Sequence, residues 1–392
     1  MTVTGSEDSN TDTVPVSQWV FYGYFLRLGA TGFGGPIALA GRMQRDLVDD
    51  RRWISRQDYV DGLALAQLAP GPLAAQLAMY LGYIRAGTFG ATMVSACFIL
   101  PSFLIVWAIS MAYVRYGGLP GMQAVFYGVG AAVIAIIARS ATKLTSLTLG
   151  RRPVLWTIFA VMAVTTAVTE REIIWLFVLA GLLTVALAAR QPGRPFASSS
   201  SSGVAGVIVV AARAAAPALM PSLPNIFWTF AKAGAFVFGS GLAIVPFLRG
   251  ELVQTQGWLT DRQFLDAVAV AMITPGPVVI TVAFIGYVVG GPWGMTAAAA
   301  GVFLPVYLFV VIPAPFFRRH RSHPRLKAFV EGVSAAATGA IMGAVWVLGA
   351  RALIDSVTIA IAVLTFVVLW RWKVSELWLI AAAGILGLVV SP

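Results

Sequence analysis

Apolar runs of about 20 residues, the length that crosses a bilayer core of roughly 30 Å, recur from Trp19 to the C-terminus, separated by short polar stretches. Period-2 alternation, the mark of a membrane barrel, does not occur. The pattern predicts an all-α polytopic membrane protein with about 10 to 13 membrane segments. Two of these runs are broken at their centres. "LAQLAPGPLAAQLA" carries Pro70-Gly71-Pro72 and "AMITPGPVVITVA" carries Pro275-Gly276-Pro277. Proline lacks an N–H and clashes with the preceding turn, so neither run can be one continuous helix.

The two breaks belong to a repeat. "RWISRQDYVDGLALAQLAPGP" (52–72) lies over "GWLTDRQFLDAVAVAMITPGP" (257–277) at an offset of 205 residues. Trp53 then meets Trp258, Ser55 meets Thr260 and Asp61 meets Asp266. Upstream, "FLRLGATGFGGP" (25–36) lies over "FAKAGAFVFGSG" (230–241), so that Arg27 meets Lys232 and Phe33-Gly34 meets Phe238-Gly239. Downstream, after a one-residue deletion, Gly82 meets Gly286 and Pro101 meets Pro305. The chain divides into a disordered polar tail (1–16), a first repeat (17–190), a Pro- and Ser-rich linker (191–223) and a second repeat (224–392). The linker contains an apolar stretch, 204–220, that is short for a crossing.

Charge placement sets the two repeats against each other. In the first, the basic loop after the broken segments is Arg139, Lys143, Arg151 and Arg152. In the second, the corresponding loop carries only Arg351 with Asp355, and the basic run falls one connection earlier, at 318–327. Basic loops stay on the cytoplasmic side, so the halves have opposite orientations. The loop 42–56, with Arg42, Arg45, Arg51, Arg52 and Arg56, falls on the same side only if the PGP segment dips in and returns. Both PGP segments are therefore expected to be re-entrant, entering from opposite faces. Segment 19–40 is left open between a dip and a crossing.

Composition narrows the function. The chain is 59% hydrophobic and 11% charged, with net charge +11. The positive-inside rule accounts for that charge, and no separate basic domain offers a nucleic-acid surface. The single cysteine, Cys97, lies in an apolar run and reads as a small buried hydrophobe. The only histidines, His320 and His323, sit in a basic loop, so neither a metal site nor a cofactor is expected. A membrane-embedded enzyme would need a nucleophile, base or metal cluster that the sequence lacks; a passive channel remains a rival, separable by its flux.

Inverted repeats with discontinuous helices are the architecture of secondary transporters, in which half-helix N-termini face an anionic substrate near the midplane. The candidate binding residues are Arg27, Gly34, Gly35, Pro36, Gln67, Pro70, Gly71 and Pro72 in the first repeat. In the second they are Lys232, Gly239, Ser240, Gly241, Thr274, Pro275, Gly276 and Pro277. Arg27 and Lys232, two cations at equivalent positions in apolar segments, suit a small divalent anion. Asp61 and Asp266 are candidates for carrying a coupled proton; the alternative for each is a loop carboxylate paired with Arg56 or Arg262. Rocking of one repeat against the other would give alternating access.

The stretches Phe33–Pro72 and Phe238–Pro277, in the order FGGP, RW-S/T, PGP, resemble the chromate ion transporter family in its long, two-domain form. The second copy reads FGSG in place of FGGP, so the half-sites need not contribute equally. The resemblance implies a multi-pass protein of the cytoplasmic membrane that exports chromate, with sulfate as the structural relative of that substrate. Oligomeric state, driving gradient and a preference between chromate and sulfate are not set by the sequence.

Overall fold

The computed structural model describes residues 13–33, 35–117, 119–170, 173–189, 221–236, 244–316, 324–372 and 374–390. The tail 1–12, most of the linker, Gly34, Gly239, Ser240, Gly241 and the run 317–323 with both histidines lie outside them.

The first repeat opens with two helical pairs that enter the protein and return. Helix α1 (Gln18–Thr31) stops at Gly32, and α2 (Gly35–Met43) continues into a π-helical turn at Gln44–Asp50. Val14 N–H donates to the Arg52 carbonyl at 2.8 Å, so the chain has come back to where it entered. Segment 19–40 thus dips and does not cross. Helix α3 (Arg56–Leu68) is N-capped by Ser55, whose hydroxyl accepts from Asp58 N–H, and stops at the PGP break. Its 13 residues span about 20 Å, too little to cross. Helix α4 (Leu73–Tyr116) folds back at Ala86 and Gly87, where φ reaches +59° at the glycine. A side chain on Gly82 would run into the Gly90 carbonyl, so these glycines let the two arms of α4 close against each other. Arg85, at the end of the first arm, donates to the Val16 carbonyl at 2.6 Å. The first arm therefore returns to the face of entry, and only the second arm crosses. Helices α5 (Pro120–Leu149), α6 (Pro153–Thr169) and α7 (Ile174–Ala189) follow.

The second repeat copies this in detail. Helices α8 (Leu223–Phe236) and α9 (Ile244–Arg249), with a π-helical turn at Gly250–Thr255, match α1 and α2. Helix α10 (Asp261–Ile273) is capped by Thr260, at the position of Ser55. Helix α11 (Thr281–Val311) folds back at Gly290 and Gly291, with φ +63° at the second glycine. Helices α12 (Pro324–Ala352), α13 (Ser356–Arg371) and α14 (Glu376–Val390) complete it. The Leu47 carbonyl accepts from Trp53 and Ile54, and the Leu252 carbonyl accepts from Trp258 and Leu259. The matched tryptophans of the sequence repeat are thus closing residues of the same turn.

Tertiary contacts fix the orientation. Arg152, after α5, pairs with Glu331 near the start of α12; Thr92, early in the crossing arm of α4, meets Tyr307 late in α11 at 2.8 Å. Glu170, between α6 and α7, bonds Arg249, Gln254 and Arg351 of the second repeat. The re-entrant pairs of the second repeat therefore enter from the face opposite those of the first. We call the face with Arg42–Arg56, Arg151 and Arg152 the basic face. The described residues hold four helices long and apolar enough to cross a membrane, and four shorter apolar ones. The protein is a multi-pass membrane protein in inverted repeat.

The repeats are not separate bodies. Helices α6 and α7 pack on α12, and α13 and α14 pack on α5. Small residues permit this close approach: Gly332 abuts the backbone of Ala180, Gly339 that of Phe159, and Gly128 that of Ala383. Helices α1, α4, α8 and α11 form a second body that carries the re-entrant tips. Each body takes half its helices from each repeat. The contacts thus group helices across the repeats, into the tip-bearing set and the α5–α7/α12–α14 bundle.

Candidate functional site

The PGP tips cross over between repeats. Gly276 N–H donates to the Gly32 carbonyl at 2.7 Å, which places the second PGP at the end of α1. It also lies against Ser102, midway along the crossing arm of α4, and Ser102 Oγ donates to the Gly29 carbonyl at 3.2 Å. In the mirror arrangement Gly71 lies against Val306, the pseudo-symmetric counterpart of Ser102. The glycines make both turns possible: φ is +135° at Gly71 and +96° at Gly276, values closed to most L-residues. Helix α4 and the short 3₁₀ turn leading into α11 start directly after these tips. Their N-terminal N–H groups and positive dipole ends thus sit deep in the protein.

The two tips differ in exposure. Thr274, Pro275, Gly276 and Pro277 are all buried, and the Thr274 hydroxyl is committed to the Val270 carbonyl at 2.6 Å. In the first repeat Pro70 is half-buried and Gln67 is exposed. Gln76, which flanks the same turn, is fully buried; its amide donates to the Pro70 carbonyl at 2.6 Å, while its Oε1 has no partner among the described residues. Pro36 opens α2, and the break around Gly35 is held from behind by Tyr59, which donates to the Ala40 carbonyl at 2.8 Å.

The paired cations are not equivalent either. Lys232 Nζ bonds Glu251 at 2.9 Å, and Gln256 reaches both Glu251 and Thr229. Its charge is already balanced. Arg27 lies on the exposed face of α1, and no carboxylate among the described residues forms an ion pair with it. Arg42, from α2, reaches the Thr31 carbonyl at 3.4 Å and pairs loosely with Asp46 at 3.7 Å. Lys232 is thus charge-paired and Arg27 is not, among the described residues.

Asp61 and Asp266 stand some nine to eleven residues before their PGP motifs, near opposite faces, and the structure does not bring them together. Asp61 is buried and accepts from Gln57 at 2.8 Å; Arg56, the expected partner, pairs with Asp49 at 3.2 Å instead. Asp266 is 7% exposed and accepts from the Tyr113 hydroxyl at 2.7 Å. With Tyr113, Gln123, Phe126, Arg262 and Gln263 it lines a cavity of about 160 Å3 between α10, α4 and α5. No group of three or more metal-ligating side chains occurs among the described residues.

Sequence reasoning missed a second polar constellation. Arg249, only 3% exposed, bonds Asp261 at 2.9 Å and Glu170 at 3.1 Å. Arg351 bonds the same two carboxylates, reaching Glu170 at 2.5 Å. The four residues come from three separated stretches of the chain, and the repeat offers no signal because their counterparts, Gln44, Arg56, Leu147 and Val374, carry no matching set.

Comparison with known proteins bears on these features. The family model "Chromate transporter" matches residues 19–185 and again 224–388. The chromate transport protein of Cupriavidus metallidurans is 55% identical over 371 residues, covering 94% of this chain and 92% of its own. The probable chromate transport protein of Synechococcus elongatus is 53% identical, covering 93% and 94%. YwrA of Bacillus subtilis, described as an uncharacterized transporter, is 27% identical over 43% of this chain but 96% of its own, the length of a single repeat. No solved structure matches. The repeated family match and the high identity over nearly the whole length mean that this chain belongs to the chromate transporter family, a family of transporters and not of enzymes.

Proposed function

We propose that the chain is a secondary transporter that moves chromate, a tetrahedral divalent oxyanion, out across the cytoplasmic membrane. The observation that carries this reading is the 55% identity to a chromate transport protein over nearly the whole chain. The crossed PGP tips support it: helical turns that start directly after them, inside the protein, are a setting for an anion. Arg27 supplies the uncompensated charge, Gln67 and the half-buried Pro70 line the accessible side ahead of the buried Gly71 and Pro72, and Gly34–Pro36 provide the approach. Lys232 with Glu251 holds the second half-site in shape. Gly239, Ser240 and Gly241, outside the described residues, belong to the same proposal through the repeat. Sulfate, with the same shape and charge, competes for the site.

The test is chromate flux into proteoliposomes, with and without excess sulfate. A saturable flux that sulfate inhibits and Arg27→Gln abolishes supports the carrier and its cation. No flux above empty liposomes under either sign of membrane potential overturns the substrate assignment.

A further inference from the structure

Asp266 is the buried end of an open polar cavity. It stands in the second turn of α10, is 7% exposed, and accepts from the Tyr113 hydroxyl at 2.7 Å. Tyr113 belongs to the last turn of the crossing arm of α4, so the bond joins the two repeats. The mouth of the cavity lies on the face opposite the basic loops, beside the end of α4. Gln123 of α5 and Arg262 of α10 are exposed there, and the Arg262 guanidinium donates to Gln123 Oε1 at 3.4 Å. At about 160 Å3 the cavity has room for several water molecules. A buried carboxylate that water can reach by such a path is able to exchange a proton with that face.

The elements packed on α10 set the charges around it. Tyr113 of α4 and Arg262 of α10 itself share the cavity with Asp266, and Arg115 of α4 lies over the Tyr116 ring. Arg249 of α9 and Arg351 of α12 bind Asp261 at the start of α10. Tyr127 of α5 donates to Asp355 at 2.5 Å, and Arg139 of α5 meets Glu376 of α14 at 3.8 Å. Helix α11 sets Phe284 against the Tyr113 ring, with Tyr287 one turn on, and the 3₁₀ turn Val278–Ile280 brings only apolar side chains. The location of Asp266 links it to the second tip. Helix α10 runs from Asp266 into Pro275, and the crossing arm of α4 lays Ser102 against Gly276 of that tip. The two elements are thus tied at two levels, Tyr113 to Asp266 and Ser102 to Gly276, separated by about 16 Å of helix.

We infer that Asp266 is a proton-binding site, reached from the face opposite the basic loops, that couples anion movement to proton movement, with Tyr113 as its positioning residue. The coupling rests on the carrier reading. Hydronium in the cavity gives its proton to Asp266 Oδ1 and leaves as water, while Oδ2 keeps the Tyr113 bond; the reverse step returns the proton to water. A hydrogen bond to an ionised carboxylate is roughly twice as strong as one between neutral groups. Proton uptake therefore slackens the outer tie between α10 and α4 and leaves the inner one, at Gly276, in place. It also removes a negative charge from the polar cavity at the face the anion must reach.

Two measurements test the assignment. Proteoliposomes carry an entrapped pH indicator, at a pH where chromate is fully dianionic and with the potential clamped by potassium and valinomycin. Chromate flux should then be accompanied by proton movement, and the ratio of protons to chromate should fall at least tenfold in Asp266→Asn. Wild-type chromate flux without proton movement, or an unchanged ratio in Asp266→Asn, overturns the coupling and leaves the carrier reading standing. The second measurement needs no flux: an infrared pH titration of the reconstituted protein. It should show a protonated-carboxyl band that Asp266→Asn removes and that Tyr113→Phe displaces to higher pH, because the charged form loses a donor. A titration that neither variant alters overturns the proton site. Should Asp266→Asn fail to fold, Tyr113→Phe decides alone, and an unmoved titration refutes the assignment. Absent chromate flux with the infrared shifts intact would count against the substrate and uphold the proton site.

Discussion

Gly276→Ala gives the most direct test of the crossed tips. The glycine sits at φ +96°, where a Cβ costs about 1–2 kcal/mol before any contact is considered. The new methyl would run into Ser102 Oγ, with Ser102 Cβ at 3.1 Å and the Gly29 carbonyl oxygen at 3.4 Å. Ser102 is fully buried, and turning its hydroxyl away forfeits the bond to Gly29, worth about 1 kcal/mol. Overpacking a site with so little room adds about 1–3 kcal/mol. The sum is about 3–6 kcal/mol, comparable with the whole stability of many proteins. Gly71→Ala should cost less, because the closest atoms there are the amide end of Gln76, at 2.7 Å, and a Val306 methyl at 3.1 Å. Thermal unfolding of the purified protein and chromate flux, measured together, provide the assay. Ser102→Gly added to Gly276→Ala should recover the steric part and leave the torsional part. A Gly276→Ala protein with wild-type unfolding and flux would refute the crossing of the second tip onto α1.

Three further outcomes follow from the partners of named charges. Arg27→Gln should cut flux at least tenfold with unfolding unchanged, whereas Lys232→Gln should lower stability by about 1–3 kcal/mol, because it leaves Glu251 without its charged donor; paired melting and flux curves separate the two. The hydrogen bond from Arg351, reinforced by Arg249, holds the Glu170 carboxyl below its ordinary range despite partial desolvation. A depressed carboxylate contributes stability above the ordinary value of 4.5 and loses it as pH falls through the lowered one, so the Glu170 contribution to the melting temperature should be constant from neutral pH down to 4.5 and decline only below it, and Glu170→Gln should remove that acid-dependent loss. Cysteines at Arg52 and Arg152 should react with an impermeant reagent from one side of the membrane, and cysteines at Glu170 and Arg351 only from the other.

Much of the architecture was legible because it is written in local chemistry. The PGP motifs cannot lie within a helix, the repeat sets Ser55 over Thr260, and arginine placement revealed the inversion. The dipping of 19–40 was not legible: a 14-residue helix and a turn have the same hydropathy as a tilted crossing, and only the return of Arg52 to Val14 distinguishes them. The pairing of Arg27 with Lys232 was visible in sequence, but their inequality was not. It depends on Glu251 standing 19 residues from Lys232, while Asp46, at the matching place, turns to Arg42.

By itself the sequence determined that the protein is a helical membrane protein, that it consists of two opposed halves, and where its helices break. Those properties follow from hydrophobicity, proline stereochemistry and charge sidedness, each of which acts within a few residues. Only the tertiary structure decided which half covers which tip and which charges meet between the repeats. Such features depend on side chains brought together across more than 70 residues, as Glu170 is to Arg249. No periodicity records that meeting, because packing between helices constrains volume and charge at the contact and leaves the intervening chain free.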